Sequence, residues 1–66
     1  MDLNEAIELV KNAVKESHID GQKHVDLSLV DASERPDYEK ALLICRAHVA
    51  QGHLSEEDLR TRLGLI

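Results

Sequence analysis

Apolar residues at the start of the chain recur at intervals of three and four. They are Leu3, Ala6, Ile7, Val10, Ala13 and Val14. This spacing places the side chains on one face of an α-helix. Asp2 lies where an N-cap belongs, and Glu5 follows three residues later as in a capping box. The pattern therefore predicts a helix over about residues 3–17.

The middle of the chain changes to a period of two after the turn signal Asp20-Gly21. The alternating residues are Val25, Asp26, Leu27, Ser28 and Leu29. Such alternation is typical of a half-buried strand, so we expect an extended or single-strand segment near residues 23–30. A lone strand needs a partner, which a second molecule could supply. The alternatives are an extended connector and a short helix that uses Val25, Leu29 and Val30.

A second helix is predicted over about residues 36–51. Pro36 suits the first helical turn, and Gly52 is a favourable residue just beyond the C-terminus. Its apolar face is wide: Tyr38, Ala41, Leu42, Leu43, Ile44, Cys45, Ala47, His48 and Val49. We expect a helix with so broad a face to pack on more than one side and to form the centre of the core.

A third, short helix is predicted over about residues 56–63. Ser55 is placed to cap it, Leu54 can pack on Leu59 as a hydrophobic staple, and Gly64 ends it. Because only a short turn separates the last two helices, we expect an αα-hairpin. The sequence thus predicts one mainly α domain over residues 1–66.

The composition limits how this domain can be stabilised. A chain of 66 residues buries only about 60% of the surface that its unfolded form exposes. There is one cysteine, so no internal disulfide forms, and the core must be aliphatic because Trp and Phe are absent. Small domains without such staples often associate. We therefore expect contact with a protein partner or a homo-oligomer.

Charge and hydropathy argue against two classes of partner. The net charge is −5, from 8 basic and 13 acidic residues, and no Lys/Arg stripe is present. Nucleic-acid binding depends on phosphate contacts, so we expect none. The longest apolar run is residues 41–45, too short to span a membrane, and Met1 is not followed by a signal-peptide pattern. We expect a cytoplasmic protein.

Candidate metal ligands are present, but their spacing is poor. Cys45 and His48 lie three residues apart, and His53 follows in the turn. A structural zinc site needs four ligands, usually in paired clusters, and the fourth would have to be His18, His24 or a distant acid. A buried cysteine beside a boundary histidine is the preferred interpretation. We predict no metal and no cofactor.

Catalysis is not expected either. A cysteine–histidine nucleophile requires a cleft, an orienting third group and oxyanion donors. The acids Glu56, Glu57 and Asp58 occupy the first turn of the third helix, where the helix dipole favours negative charge. That position indicates a structural role. The protein is predicted not to be an enzyme, with no catalytic residues.

Residues 54–64 resemble the first helix and turn of Cro/repressor-type helix-turn-helix domains. Leu54, Ser55, Leu59, Leu63 and Gly64 match that pattern, whereas Arg60 and Thr61 depart from it. The resemblance implies a transcription-related or phage-type regulator. Base reading requires a recognition helix, which we do not find after Ile66, so we expect no DNA binding.

Residues 41–65 resemble the short C-terminal (SHOCT) helical hairpin. Gly52, Leu54, Ser55, Glu57 and Leu63 fit its pattern, but Leu59 stands where the family usually has an aromatic residue. This resemblance implies an oligomerisation or interaction module.

The preferred hypothesis is a small non-catalytic interaction or oligomerisation module, which could act in regulation; the alternative is a regulator derived from a helix-turn-helix. The candidate interaction face combines Leu42, Leu43, Ile44, Val49, Val25, Leu27 and Leu29. The candidate structural caps are Asp2, Ser55, Gly52 and Gly64.

Overall fold

Three α-helices and one β-hairpin build the fold. In the computed structural model, which describes residues 1–66, the order is α1 (Leu3–Lys11), β1 (Val14–Glu16), β2 (Lys23–Val25), a 3₁₀ turn (Leu27–Leu29), α2 (Arg35–Ala50) and α3 (Glu56–Leu63). The mainly α character and the three predicted helices are confirmed. The hairpin between α1 and α2 was not predicted.

Helix α1 begins as predicted but ends earlier. The Asp2 carboxylate caps it by accepting from the Glu5 N–H at 2.8 Å. At the other end, the Ala13 N–H donates to the Val10 carbonyl at 2.9 Å, a tight last turn that closes the helix. The prediction that the helix extends to residue 17 is wrong. The chain leaves the helix because the backbone of residues 14–16 bonds to another strand.

That other strand is the one predicted near residues 23–30. Strands β1 and β2 pair antiparallel, with Val14 opposite Val25 and Glu16 opposite Lys23. Hydrogen bonds extend the pairing at both ends: the Ser17 N–H donates to the Gln22 carbonyl at 2.8 Å, and the Asp26 N–H donates to the Ala13 carbonyl at 2.7 Å. The predicted strand therefore has its partner within the same chain, and the expectation of a lone strand is wrong.

The predicted extended segment also ends early. Strand β2 stops at Val25, and the Asp26 carboxylate then accepts from the Ser28 N–H at 3.0 Å to begin the 3₁₀ turn. A strand and a short helix were the alternatives for this segment. Residues 23–25 form the strand, and residues 27–29 form a short 3₁₀ helix. An aspartate that bonds the backbone two residues ahead readily ends a strand in this way.

The core lies where the three helices meet. Helix α1 packs mainly on α2, and α3 contacts both. The central buried cluster consists of Ala6, Ile7, Val10, Ala41, Cys45, Leu54, Leu59 and Leu63. The predicted face of α2 is wider than the face that is buried, since Leu43 keeps 68% of its surface exposed. Packing on one side of α2 thus leaves apolar surface on the other.

The C-terminal end of α2 and both ends of α3 have defined caps. Gly52 and Gly64 each adopt a φ of +78°, the left-handed conformation that favours glycine. Ser55 Oγ accepts from the Asp58 N–H at 3.0 Å and so caps α3. Leu54 and Leu59 on either side of this cap are both buried. The α2–α3 connection is therefore short and fixed by backbone bonds.

No helix in the structure has both the length and the apolar character that crossing a membrane requires.

Candidate functional site

An open groove lies between α2, α3 and the end of the β-hairpin. Its volume is about 590 Å³. Its apolar lining consists of Val25, Leu27, Leu42, Cys45, Val49, Ala50, Leu59, Leu63 and Leu65. Four polar residues complete it: His24, Arg46, Glu56 and Arg60. We refer to this surface as the α2–α3 groove.

The floor and walls of the groove differ in burial. Cys45, Leu59 and Leu63 are buried and form the floor. The walls are half-buried side chains that the core leaves partly open: Val25, Leu27, Leu42, Val49 and Leu65. At the groove the hydrophobic core is therefore partly open to solvent. A bound ligand could remove this apolar surface from water.

Helical spacing and one helix cap together place these residues. On α2, Leu42 and Val49 are seven residues apart and share a face. At the end of α3, the Leu65 N–H donates to the Arg60 carbonyl at 2.8 Å after the left-handed Gly64. This glycine cap folds the chain back over the last turn, which brings Leu65 into the groove.

Two exposed arginines stand at the rim of the groove, Arg46 on α2 and Arg60 on α3. The structure contains one ion pair, between Lys11 and Glu8 of α1 at 3.8 Å. Both rim arginines therefore lack a carboxylate partner within the chain. With one carboxylate, Glu56, beside them, the rim has a local excess of positive charge in a chain whose net charge is −5.

The structure brings together four of the seven residues of the predicted interaction face. Val25, Leu27, Leu42 and Val49 all line the groove. The other three lie outside it. Leu43 is 68% exposed and Leu29 is 53% exposed. Ile44 is half-buried against the core cluster.

Sequence reasoning did not predict the floor and the rim as parts of this site. Leu59 was predicted only to pack on Leu54, and Leu63 was named only in the two family resemblances. Arg46 lies four residues after Leu42, a spacing that places it on the same side of α2. That spacing was a usable signal. The fold-back of Leu65 depends on the α3 cap, so only the structure shows its place in the groove.

The cysteine on the groove floor has a depressed tendency to ionise. Cys45 is completely buried, and this burial raises the pKa of its thiol. A low-dielectric surrounding disfavours the thiolate, which is the nucleophilic form. No group of three or more His, Cys, Asp and Glu residues is arranged to hold a metal ion. The chemistry of the groove is therefore dominated by apolar contact and by the two arginines.

Neither a protein-family model, a curated protein nor a solved structure shows significant similarity to this chain. The resemblances of residues 41–65 and 54–64 to a helical hairpin and to a helix-turn-helix stay predictions.

Proposed function

We propose that the protein is a small non-catalytic interaction module of the cytoplasm that binds an amphipathic helix of a partner protein in the α2–α3 groove. The observation that carries this proposal is the pairing of an open apolar groove with two rim arginines that have no carboxylate partner. The apolar walls provide binding free energy. The arginines provide selectivity for an acidic flank.

The shape of the groove favours a helical ligand. Helices α2 and α3 flank it, and nine of its thirteen lining residues are apolar. Amphipathic helices bind such grooves through apolar residues spaced at i, i+3, i+4 and i+7. A volume of about 590 Å³ accommodates several aliphatic side chains. The partner segment therefore presents one apolar stripe to the groove.

The charges at the rim of the groove predict that the partner helix carries acidic residues. The rest of the surface carries the net negative charge and repels an acidic segment, whereas Arg46 and Arg60 attract one. Arginine binds carboxylates through a planar fork of donors, which fixes geometry as well as charge. We expect Glu or Asp on both sides of the apolar stripe, so that one carboxylate reaches α2 and one reaches α3.

The burial of Cys45 supports a non-catalytic role. An activated cysteine needs a lowered pKa or an adjacent base, whereas burial raises the pKa of this thiol. The polar groups of the groove are exposed rim residues rather than a converging set within a cleft. The groove is thus better suited to binding than to chemistry.

Defined helical peptides test the proposal. One peptide carries leucines at helical spacing with glutamate flanks, and a matched peptide has the same leucines with lysine flanks. We expect the glutamate peptide to bind more tightly and to shift the methyl resonances of Val25, Leu42 and Val49 in nuclear magnetic resonance spectra. Equal affinity of the two peptides, or shifts confined to other methyl groups, would overturn the proposal.

Matched variants separate the contribution of the rim arginines from that of the apolar walls. Arg60→Glu should weaken the glutamate peptide, whereas Arg62→Glu, the same change on α3 outside the groove, should not. Val49→Asp should abolish binding, whereas Leu43→Asp on an exposed position of α2 should leave it intact. Circular dichroism establishes that each variant is folded. Loss of binding in both members of a pair would contradict a groove-specific site.

A second copy of the chain is the competing occupant. Small domains gain stability by association, and homo-oligomerisation is the other form of an interaction module. Sedimentation over a wide concentration range decides between them. Two results together would overturn the proposal of a different partner protein: a dimer that Val49→Asp dissociates, and competition between dimer formation and binding of the glutamate peptide. Self-association would then be the function of the groove.

The second candidate function is a regulator derived from a helix-turn-helix. It is supported by the Ser55 cap and the Gly64 turn, in the order that residues 54–64 share with that family, whereas Arg60 departs from the family pattern. Filter binding to duplex DNA at low salt tests it. Because an acidic chain lacks a basic stripe for phosphates, we expect no salt-dependent binding.

A further inference from the structure

Two histidines at the end of α2 lie outside the groove and face each other. His48 Nδ1 and His53 Nδ1 are 3.3 Å apart, and their rings meet edge to face with centroids 5.3 Å apart and planes at 61°. We propose that this pair is a two-histidine site for a tetrahedral divalent transition metal, of which Zn²⁺ is the representative ion.

The helix end holds the two imidazoles in place. Gly52 is in the left-handed conformation, its N–H donates to the Val49 carbonyl at 3.0 Å, and the His53 N–H donates to the His48 carbonyl at 3.0 Å. This pair of bonds defines a glycine cap in which side chains of the last helical turn and of the residue after glycine come into contact. Most such caps join two apolar residues. Here the contact joins two potential metal ligands.

The separation of the nitrogens fits a tetrahedral ion. Zinc–imidazole bonds of about 2.0–2.1 Å at a tetrahedral angle place two ligating nitrogens about 3.3–3.4 Å apart. The observed 3.3 Å agrees with that range. A square-planar ion with the same bond lengths needs nitrogens closer together, at about 2.8–3.0 Å. The separation is therefore compatible with a tetrahedral ion such as zinc.

Without metal, a hydrogen bond joins the two nitrogens, with the donor and acceptor roles set by the ring tautomers. One Nδ1 donates and the other accepts, at a separation longer than that of a strong hydrogen bond. A tetrahedral ion lies about 1.2 Å off the line between the two nitrogens, so both imidazole rings turn to direct their lone pairs at it, whereas the backbone cap need not change. Zinc binding of this kind requires both imidazoles to be neutral at the ligating nitrogen.

The site is open to solvent. His53 is exposed and His48 is half-buried, so an ion can enter, and water completes its coordination. Two protein ligands give a weak, exchangeable site rather than a structural one, since structural zinc sites have four. Cys45 lies in the core and takes no part, so this pair differs from the cysteine–histidine set for which the sequence favoured a structural role.

Titration of the whole protein with zinc chloride in a chelator-free buffer tests the proposal. Calorimetry should give one zinc per chain. Imidazole nitrogen resonances should shift at His48 and His53 and stay unchanged at His18 and His24, which lie elsewhere. Zinc should also raise the thermal midpoint, because it binds the folded pair and not the separated histidines of the unfolded chain.

Single substitutions give the controls. His48→Gln and His53→Gln should each weaken zinc binding by about tenfold or more, whereas His18→Gln and His24→Gln should leave it unchanged. His53 is exposed, so its variant keeps the fold even if His48→Gln does not. Undiminished binding in a folded His53→Gln variant would overturn the site. Half a zinc per chain together with a dimer in sedimentation would also overturn it, because a second copy would then supply the missing ligands.

Discussion

Val14 and Val25 lie opposite each other across the two strands of the β-hairpin. Val25 also lines the α2–α3 groove and packs on the core cluster, so one cross-strand pair connects the end of α1 to the candidate site. The hydrogen bonds from the Ser17 N–H to Gln22 and from the Asp26 N–H to Ala13 flank this pair on either side. The position of one groove wall therefore depends on the hairpin.

The first prediction tests that pair. Val25→Ala should lower the free energy of unfolding by about 1 kcal/mol, because it removes a cross-strand contact and part of a half-buried side chain. Lys23→Ala on the same strand is the control and should change it by less than about 0.5 kcal/mol. Urea unfolding of Val14→Ala, Val25→Ala and the variant that carries both substitutions measures the coupling free energy between the two valines. Strict additivity of the two valine substitutions would show that the pair does not form.

The hairpin also shows where sequence reasoning stopped being sufficient. Val14 fits the apolar spacing of α1, and no apolar alternation follows it to indicate a strand. Local periodicity alone therefore extends the helix too far. Pairing with Val25, which is eleven residues away in the chain, decides where the helix ends. A contact between distant residues overrides local preference here, as it often does.

The sequence predicted those helix ends well at which a side chain or a glycine forms the cap. Ser55, Gly52 and Gly64 act through the neighbouring backbone, so their effect is readable within a few residues. At α2 no side-chain cap exists, and the helix begins after Glu34. The candidate site is different because it combines α2, α3 and β2. Its walls were partly predictable from apolar residues, whereas the Arg46–Arg60 rim required the packing of two helices.

The second prediction concerns the Ser55 cap. Ser55→Ala should lower the free energy of unfolding by about 0.5–2 kcal/mol, because the Asp58 N–H loses its acceptor. Ser33→Ala removes the same hydroxyl beside α2, where no side-chain cap exists, and should have almost no effect. Thermal unfolding at one fixed protein concentration compares the two, since association would shift a midpoint. Equal effects would mean that the Ser55 hydroxyl does not cap α3.

The third prediction tests whether α3 is docked on the core. Leu59 is 9% exposed and belongs to the buried cluster. Leu59→Ala should cost about 2–5 kcal/mol, the range for a large buried aliphatic residue that leaves a cavity. Leu43→Ala, at an exposed position of α2, should change stability by less than about 0.5 kcal/mol. An unchanged urea midpoint for Leu59→Ala would show that α3 is undocked, and the groove would then lack one wall.

The fourth prediction is an alkaline loss of stability that Cys45 causes. Burial raises the pKa of the folded thiol, so above about pH 9 the unfolded chain releases this proton first. Unfolding then becomes more favourable as pH rises towards the folded pKa, whereas below the unfolded pKa the full stability is present. Urea unfolding at neutral pH and at about pH 9.5 should show a smaller loss for Cys45→Ala than for the native chain. Equal losses would mean that the thiol ionises as readily in the folded protein as in the unfolded one.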